Sequence, residues 1–166
     1  MNIVICVLII IFLLIFQLSF LSFVLPFYLV PNIILSILIC SLLFTNQIKI
    51  VLIYGFFAGI LFDMFSGNIV GFSALSFLLI IFLLAFLKRK LAIKSGLNAF
   101  WLFLIIASLL YDLLIYVAIK IYPATSSIHW STLTGIAMFG GILANLIFGS
   151  LIYFLWRRLL VSSFRA

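Results

Sequence analysis

The fold is decided by residues 50–87, which read IVLIYGFFAGILFDMFSGNIVGFSALSFLLIIFLLAFL. This stretch contains a single charged residue, Asp63. As one helix it would be about twice as long as the bilayer core is thick, given a rise of about 1.5 Å per residue. The polar cluster Ser66-Gly67-Asn68 near its middle is a turn signal. The stretch therefore predicts two membrane-spanning helices joined by a tight turn, which is a helical hairpin.

The rest of the chain has a similarly apolar composition. Of its 166 residues, 69% are hydrophobic and 7% are charged, whereas a soluble domain has about 45–50% apolar and about 25% charged residues. This composition excludes a soluble globular domain, and it excludes a disordered chain, which needs low hydrophobicity and high charge. Two cysteines also exclude a disulfide framework. The chain is therefore predicted to be an all-α integral membrane protein with a single membrane-embedded domain.

The length of the chain sets the number of spans. One span takes about 20 residues, so about six spans with short loops fit. Proline, glycine and basic residues mark the boundaries between the apolar runs. Pro31 is expected in the first turn of the second helix, where its missing N–H costs nothing. The predicted spans are residues 3–24, 28–45, 48–65, 70–87, 98–119 and 133–156.

The basic residues are distributed unevenly between the predicted loops. With six spans, eight of the nine lysines and arginines lie on the side of the termini, and only Lys120 lies on the other. This bias predicts that both termini are cytoplasmic. Because the charges cluster at the ends of spans, nucleic-acid binding is not expected despite a net charge of +7. The clusters are expected to set the topology, and contact with anionic lipid or with a cytoplasmic partner is the alternative.

Two acidic residues, Asp63 and Asp112, lie in the outer halves of predicted spans. A functional interpretation makes them a proton or cation site, or an anchor for a partner. A structural interpretation has Asp63 cap the next helix through its free N–H groups, and Asp112 pair with Ser108 or Tyr116. The structural interpretation is favoured for Asp63, and both stay open for Asp112.

Small residues recur at every fourth position in the hairpin and in the last span. This spacing lets helix backbones approach closely where water supplies no driving force. It favours internal packing of the bundle, and a docking face for the helix of another protein is the alternative. The positions are Gly55, Gly59, Asp63, Gly67 and Gly71 in the hairpin, and Gly141, Asn145 and Gly149 in the last span.

The sequence contains no catalytic or metal-binding constellation. Its one histidine, His129, lies in the polar segment 124–132 without a second histidine or a cysteine nearby. There is no glycine-rich phosphate loop, no His-Glu-x-x-His motif and no nucleophile with a neighbouring base. We therefore predict a protein that is not an enzyme and that needs neither a cofactor nor a metal.

The hairpin resembles the signature of the MreD family of rod shape-determining proteins. That family carries Gly-Phe-x-x-Gly-Leu-x-x-Asp, then Ser, then a Leu-Gly pair before a helix of small residues. Here Gly55 to Asp63 read GFFAGILFD, and Ser66 and the pair Val70-Gly71 follow. Ile69 stands where Pro is often found, and Val70 replaces Leu.

A second motif supports the same resemblance. Residues 31–35, which read PNIIL, are similar to the Pro-Asp/Asn-x-x-Leu that opens the second span of the family, with Asn32 where Asp is common. The length and the six-span layout match along nearly the whole chain. The residues that the two motifs mark are Gly55, Gly59, Asp63, Ser66, Gly67 and Gly71 in the hairpin, and Pro31 and Asn32 in the second span. Asp112 and Asn145 are further intramembrane polar positions.

The resemblance implies a non-enzymatic subunit of the bacterial cell-elongation complex, located in the cytoplasmic membrane. Members of the family bind MreC, a protein with one membrane helix, and through it associate with RodA, a class B penicillin-binding protein and MreB. The hairpin motif would then have a partner-binding or a structural role.

The resemblance also implies an alternative function. The MreD family is similar in fold to the substrate-binding subunits of energy-coupling-factor vitamin transporters, although a fold does not establish a function. A vitamin site needs several convergent polar groups in an apolar pocket. The predicted outer loops are very short except for residues 120–132, which favours the scaffold function over the transporter.

Overall fold

The computed structural model describes residues 12–24, 29–45, 47–66, 70–93, 95–121 and 135–163, and within these ranges all regular structure is helical. Gly67, His129 and residues 3–11 of the first predicted span lie outside the described residues. The chain is thus an all-helical protein, as the composition predicts.

Six helical segments follow one another along the described chain. The first, α1, runs over Phe12–Leu21 with π-helical turns from Phe16, and it continues into Ser22–Val24. The others are α2 (Ile33–Phe44), α3 (Ile48–Ser66), α4 (Phe72–Lys90), α5 (Leu97–Ile121) and α6 (Gly135–Ser163).

Four of these helices are long and apolar enough to cross a membrane. The qualifying segments are Ile48–Ser66, Phe72–Lys90, Leu97–Ala118 and Phe139–Arg158. Their outward faces carry large apolar side chains, such as Phe57, Phe82 and Leu113, each more than half exposed. A soluble monomer rarely exposes apolar residues so densely. These helices identify the chain as a membrane protein, and they agree with the last four predicted spans to within a few residues, except that α6 extends to Ser163.

The second helix is shorter than the predicted span 28–45. It has 12 residues, about 18 Å at 1.5 Å per residue. Asn32 is its N-cap residue, and its side chain accepts a hydrogen bond from the N–H of Leu35 at 3.1 Å. Pro31 therefore precedes the cap, and the prediction that it lies in the first turn is wrong. An Asn favours this cap position because its side chain satisfies an N–H group that has no partner within the helix.

The short helix α2 is the centre of the bundle. Ten of its 12 residues are buried, including Ser36 and Cys40, and it contacts α3, α4, α5 and α6. A helix that is apolar on all sides is a buried helix. It runs parallel to α6, because Asn32 contacts Asn145 near its start and the Phe44 ring contacts the Tyr153 ring at its end.

The basic residues mark one end of the bundle. Lys49 lies at the start of α3, Lys88 to Lys90 at the end of α4, and Arg157 near the end of α6. We call this the basic end. The turn between α3 and α4, which follows Asp63, lies at the opposite end.

Helices α3 and α4 form the predicted hairpin and pack closely along its length. Gly59 makes the closest approach: a Cβ atom there would overlap the backbone of Ala74 and Ser73. At Gly55, a Cβ atom would lie 2.6 Å from the Cδ1 atom of Ile81, which is the tip of a flexible side chain. The two glycines therefore allow the backbones of α3 and α4 to meet, as small residues do between membrane helices.

We predict a graded response to alanine at three glycines. Gly59→Ala is expected to lower the free energy of unfolding by about 1–3 kcal/mol, the usual cost of overpacking, because it must separate two backbones. Gly55→Ala is expected to cost less, because the Ile81 side chain can move. Gly96→Ala is the control, since a Cβ atom there meets nothing within 4 Å.

The measurement is the midpoint of thermal unfolding of each purified variant in the same detergent. Equal midpoints for all three variants would contradict the close contact at Gly59.

Candidate functional site

The carboxylate of Asp63 caps helix α4. The residue is fully buried one turn before the end of α3. Its Oδ2 atom accepts hydrogen bonds from the N–H groups of Gly71 at 2.9 Å and Ser73 at 3.0 Å. These are the bonds that the capping interpretation predicts. A negative charge at this position is also favourable, because the N-terminus of a helix carries a partial positive charge.

Gly71 explains why the cap comes from another helix. It is the N-cap residue of α4, and it makes no side-chain cap bond of its own. Its φ angle is +96°, a left-handed conformation that favours glycine over residues with a side chain. The turn thus needs glycine at this position, and Asp63 supplies the missing acceptor.

The side chains around the cap form a small polar group. The hydroxyl groups of Ser73 and Tyr111 lie 3.3 Å apart and share a hydrogen bond, which links α4 to α5. The Oγ atom of Ser66 is buried and makes no hydrogen bond within the described part of the chain. Asp63, Gly71, Ser73 and Tyr111 are therefore connected by hydrogen bonds that link α3, α4 and α5.

A second polar network lies at the N-terminus of α2. The backbone N–H of Asn32 donates to Oδ1 of Asn145 at 2.6 Å, and Nδ2 of Asn145 donates to Oγ of Ser108 at 3.0 Å. The N–H of Ile33 donates to Oε1 of Gln17 at 3.0 Å. Side chains from α1, α5 and α6 thereby satisfy or support the first N–H groups of α2.

This network lies near the middle of the bundle. Counted along α2, α5 and α6, its residues Asn32, Ser108 and Asn145 each stand about 16–18 Å from the basic end, at 1.5 Å per residue. The core of a bilayer is about 30 Å thick. The polar atoms are therefore far from water, and their hydrogen bonds replace those that water cannot supply.

The other end of α2 is capped as well. The Nζ atom of Lys88 donates to the carbonyl oxygens of Leu42 at 2.7 Å and Leu43 at 3.0 Å. A positive charge suits this position, because the C-terminus of a helix carries a partial negative charge. Lys88 thus has a structural role in addition to its place among the basic residues that predict the orientation of the chain in the membrane.

Unlike Asp63, Asp112 does not cap a helix in the described part of the chain. It is partly exposed on α5 and makes no hydrogen bond or ion pair with any residue that the structure describes. Ser108 instead accepts from Asn145, and the Tyr116 ring lies under Nζ of Lys120 at 5.8 Å from its centroid. The predicted pairing of Asp112 with Ser108 or Tyr116 is therefore wrong.

The glycine faces of the hairpin and of α6 point into the bundle. Gly55 and Gly59 are buried under α4. Gly149 is buried too, and a Cβ atom there would lie 2.7 Å from Cδ2 of Leu104 and 3.2 Å from Oγ of Ser36. Gly141 is partly exposed. These contacts are the internal packing that the spacing favours, so the face of Gly55 and Gly59 has no room for the helix of another protein.

Two residues of the second polar network, Gln17 and Ser108, were not predicted to belong to a site. Gln17 and Ser108 join Asn32 and Asn145 in one network, although they are distant in the chain. The sequence feature that could have indicated them is an uncharged polar residue within an apolar span. Across the described ranges, no group of three or more His, Cys, Asp or Glu side chains is arranged to hold a metal ion.

These observations define a class of protein: a helical membrane protein whose buried polar side chains cap its own helices. Comparison of the chain with family models, with curated proteins and with solved structures gives no match.

We predict that Asp63→Leu is more destabilising than Asp63→Asn. Leucine leaves the N–H groups of Gly71 and Ser73 without an acceptor, at about 1–3 kcal/mol for each buried group. Asparagine keeps one acceptor oxygen and is expected to lose less. Asp112→Asn is the matched control, because that carboxylate accepts no described hydrogen bond. Thermal unfolding in detergent measures all three, and an equal loss for both Asp63 variants would assign the effect to the charge.

We also predict that Asn145→Leu destabilises the bundle by about 1–3 kcal/mol, because the buried N–H of Asn32 loses its acceptor. Ser150→Ala on the same helix is the control. It removes the exposed hydrogen bond from Trp101, and such a bond contributes less. Chemical or thermal unfolding of the two variants gives the comparison, and a larger loss for Ser150→Ala would refute the importance of the α2 network.

Proposed function

We propose that the chain is a member of the MreD family and a non-enzymatic subunit of the bacterial cell-elongation complex. In this proposal it binds MreC in the cytoplasmic membrane and supports peptidoglycan synthesis and cell shape. RodA, a class B penicillin-binding protein and MreB are indirect partners. The chain crosses the membrane six times with both termini in the cytoplasm, so the basic end of the bundle faces the cytoplasm.

The observation that carries the proposal is the set of contacts that hold α3 and α4 together in the hairpin. Gly59 allows the contact between α3 and α4, Asp63 caps α4, and Gly71 adopts the left-handed turn conformation. Three of the residues on which the resemblance is based, Gly59, Asp63 and Gly71, therefore hold the hairpin together. A match of this kind carries more weight than similarity between apolar segments, because apolar letters recur in all membrane helices.

The arrangement of polar groups favours a scaffold over a vitamin carrier. Asp63, Asn32 and Asn145 are occupied by hydrogen bonds to backbone or to neighbouring helices. An open depression of about 470 Å³ lies beside the start of α5, and Asn98 is the one polar side chain among the described residues of its lining. In the proposed orientation it faces the cytoplasm, which is the wrong side for capturing an external vitamin.

The first two helices complete the six spans of the proposal. The central helix α2 contacts the four long helices, and α1 packs against the bundle through Leu14, Gln17 and Leu21, which are buried. Residues 3–11, which precede the described part of α1, continue its apolar run in the sequence. Helix α2 is shorter than the membrane core is thick. This length is compatible with six spans, because neighbouring helices rather than lipid surround α2.

The test is purification of the tagged, detergent-solubilised protein from its native membrane, with mass spectrometry of the proteins that accompany it. We expect the MreC protein of the same organism at a stoichiometric level, together with cell-wall synthases at lower levels. An ATP-binding-cassette ATPase pair with a coupling membrane subunit, in place of MreC, would overturn the proposal in favour of the transporter.

A further inference from the structure

Helix α5 carries a polar stripe that the described part of the chain leaves partly or fully exposed. Asp112, Tyr116 and Lys120 stand at four-residue spacing, so they lie one above another on the helix surface. Tyr116 is 52% exposed and Lys120 is exposed. The stripe runs from the region of the buried network towards the end of the bundle opposite the basic end, and we call it the α5 stripe.

The carboxylate of Asp112 in the α5 stripe accepts no hydrogen bond from the described residues, which is unusual for an acid within a membrane helix. Asp63, the other acid of the chain, is fully buried and accepts from two backbone N–H groups. Asp112 accepts from none of the described residues. Asp112 lies in the outer half of the membrane-spanning segment Leu97–Ala118, and acidic residues within membrane helices normally pair with other polar groups. A donor from another molecule would supply the missing pair.

The side chains around Asp112 indicate which chemical groups a partner needs in order to bind there. Leu109 and Leu113 flank it and are 45% and 54% exposed. An apolar surface of this kind, with one acceptor in it, is complementary to a membrane helix that is apolar apart from one donor. Lys120 adds a positive charge at the membrane surface, where a juxtamembrane acidic or polar group fits.

We propose that the α5 stripe is the docking surface for the single membrane helix of a partner protein. That helix presents one hydroxyl, amide or basic side chain to the carboxylate of Asp112. The inference builds on the proposed function, since it names the surface at which the MreC helix binds, and it replaces the glycine face of the hairpin, which α4 occupies.

A second copy of this chain fits the stripe less well. A two-fold axis along the membrane normal would make the same patch face itself. The two Asp112 carboxylates would then lie at the same depth, and like charges repel each other in a medium of low dielectric constant. A heterologous helix with a donor avoids this repulsion.

The test uses site-specific photocrosslinking in native membranes that contain the full chain and tagged MreC. The photoreactive residue p-benzoylphenylalanine replaces Leu113 in the α5 stripe, or, as controls, Leu79 on α4 and Ile147 on α6. Both control side chains are exposed and apolar, at 47% and 64%. We expect MreC to crosslink at position 113, with a yield about tenfold above that at either control.

Two substitutions then examine the carboxylate itself. Asp112→Leu is expected to lower the crosslink yield at position 113 by about tenfold, as loss of one interhelical hydrogen bond in a membrane predicts. Asp112→Asn keeps an acceptor and is expected to retain most of the yield. The thermal unfolding midpoint of each variant, measured in detergent, establishes that the bundle itself is unchanged.

The possible failures are distinguishable. If MreC copurifies with the chain but crosslinks equally at positions 79 or 147, the α5 stripe is not its docking surface and the proposed function stands. If position 113 crosslinks to a second copy of the chain, the heterologous occupant is wrong. If Asp112→Leu leaves the yield at position 113 unchanged, the partner helix does not bind through a hydrogen bond to Asp112. If MreC is absent from the purified protein, the proposed function itself fails.

Discussion

A helix that begins inside a bilayer leaves its first N–H groups beyond the reach of water, and the rest of this structure depends on how α2 meets that constraint. Unsatisfied backbone groups in hydrocarbon cost several kcal/mol each. Gln17, Asn32 and Asn145 supply the acceptors at its start, and Lys88 supplies the donor at its end. Because these side chains come from α1, α4 and α6 as well as α2 itself, capping one short helix also fixes the positions of its neighbours.

The same solution recurs at the turn between α3 and α4. Gly71 adopts a conformation that favours glycine, so it has no side chain with which to cap α4, and Asp63 reaches across the hairpin to replace it. The close contact at Gly59 brings the two helices near enough for this bond. Four of the buried polar side chains, those of Gln17, Asn32, Asp63 and Asn145, therefore accept from backbone N–H groups at the starts of helices. Asp112 is the exception among the acids, because it accepts no hydrogen bond from the residues that the structure describes.

Much of this architecture was predictable from local patterns. Hydropathy and turn residues identify α3, α4, α5 and α6, because each of these helices carries an apolar run as long as the membrane is thick. The cap at Asp63 was also predictable, since its acceptor and donors belong to one hairpin. The apolar run after Pro31 is itself short, but the central position of α2 was not predictable, because an apolar run contains no sign that other helices will surround it.

Long-range pairing explains the remaining differences between expectation and structure. Asn145 has Ser108 and Asn32 as partners, which are 37 and 113 positions away, and no local pattern encodes such a choice. Ser108 accepts a hydrogen bond from Asn145 and pairs with neither acid among the described residues, although Asp112 is one turn away on the same helix. Asp63 is occupied by the first N–H groups of α4, and Asn145 by Asn32 and Ser108. In the proposed docking, Asp112 is therefore the carboxylate that an external donor can reach, because the other carboxylate is fully buried and already caps a helix.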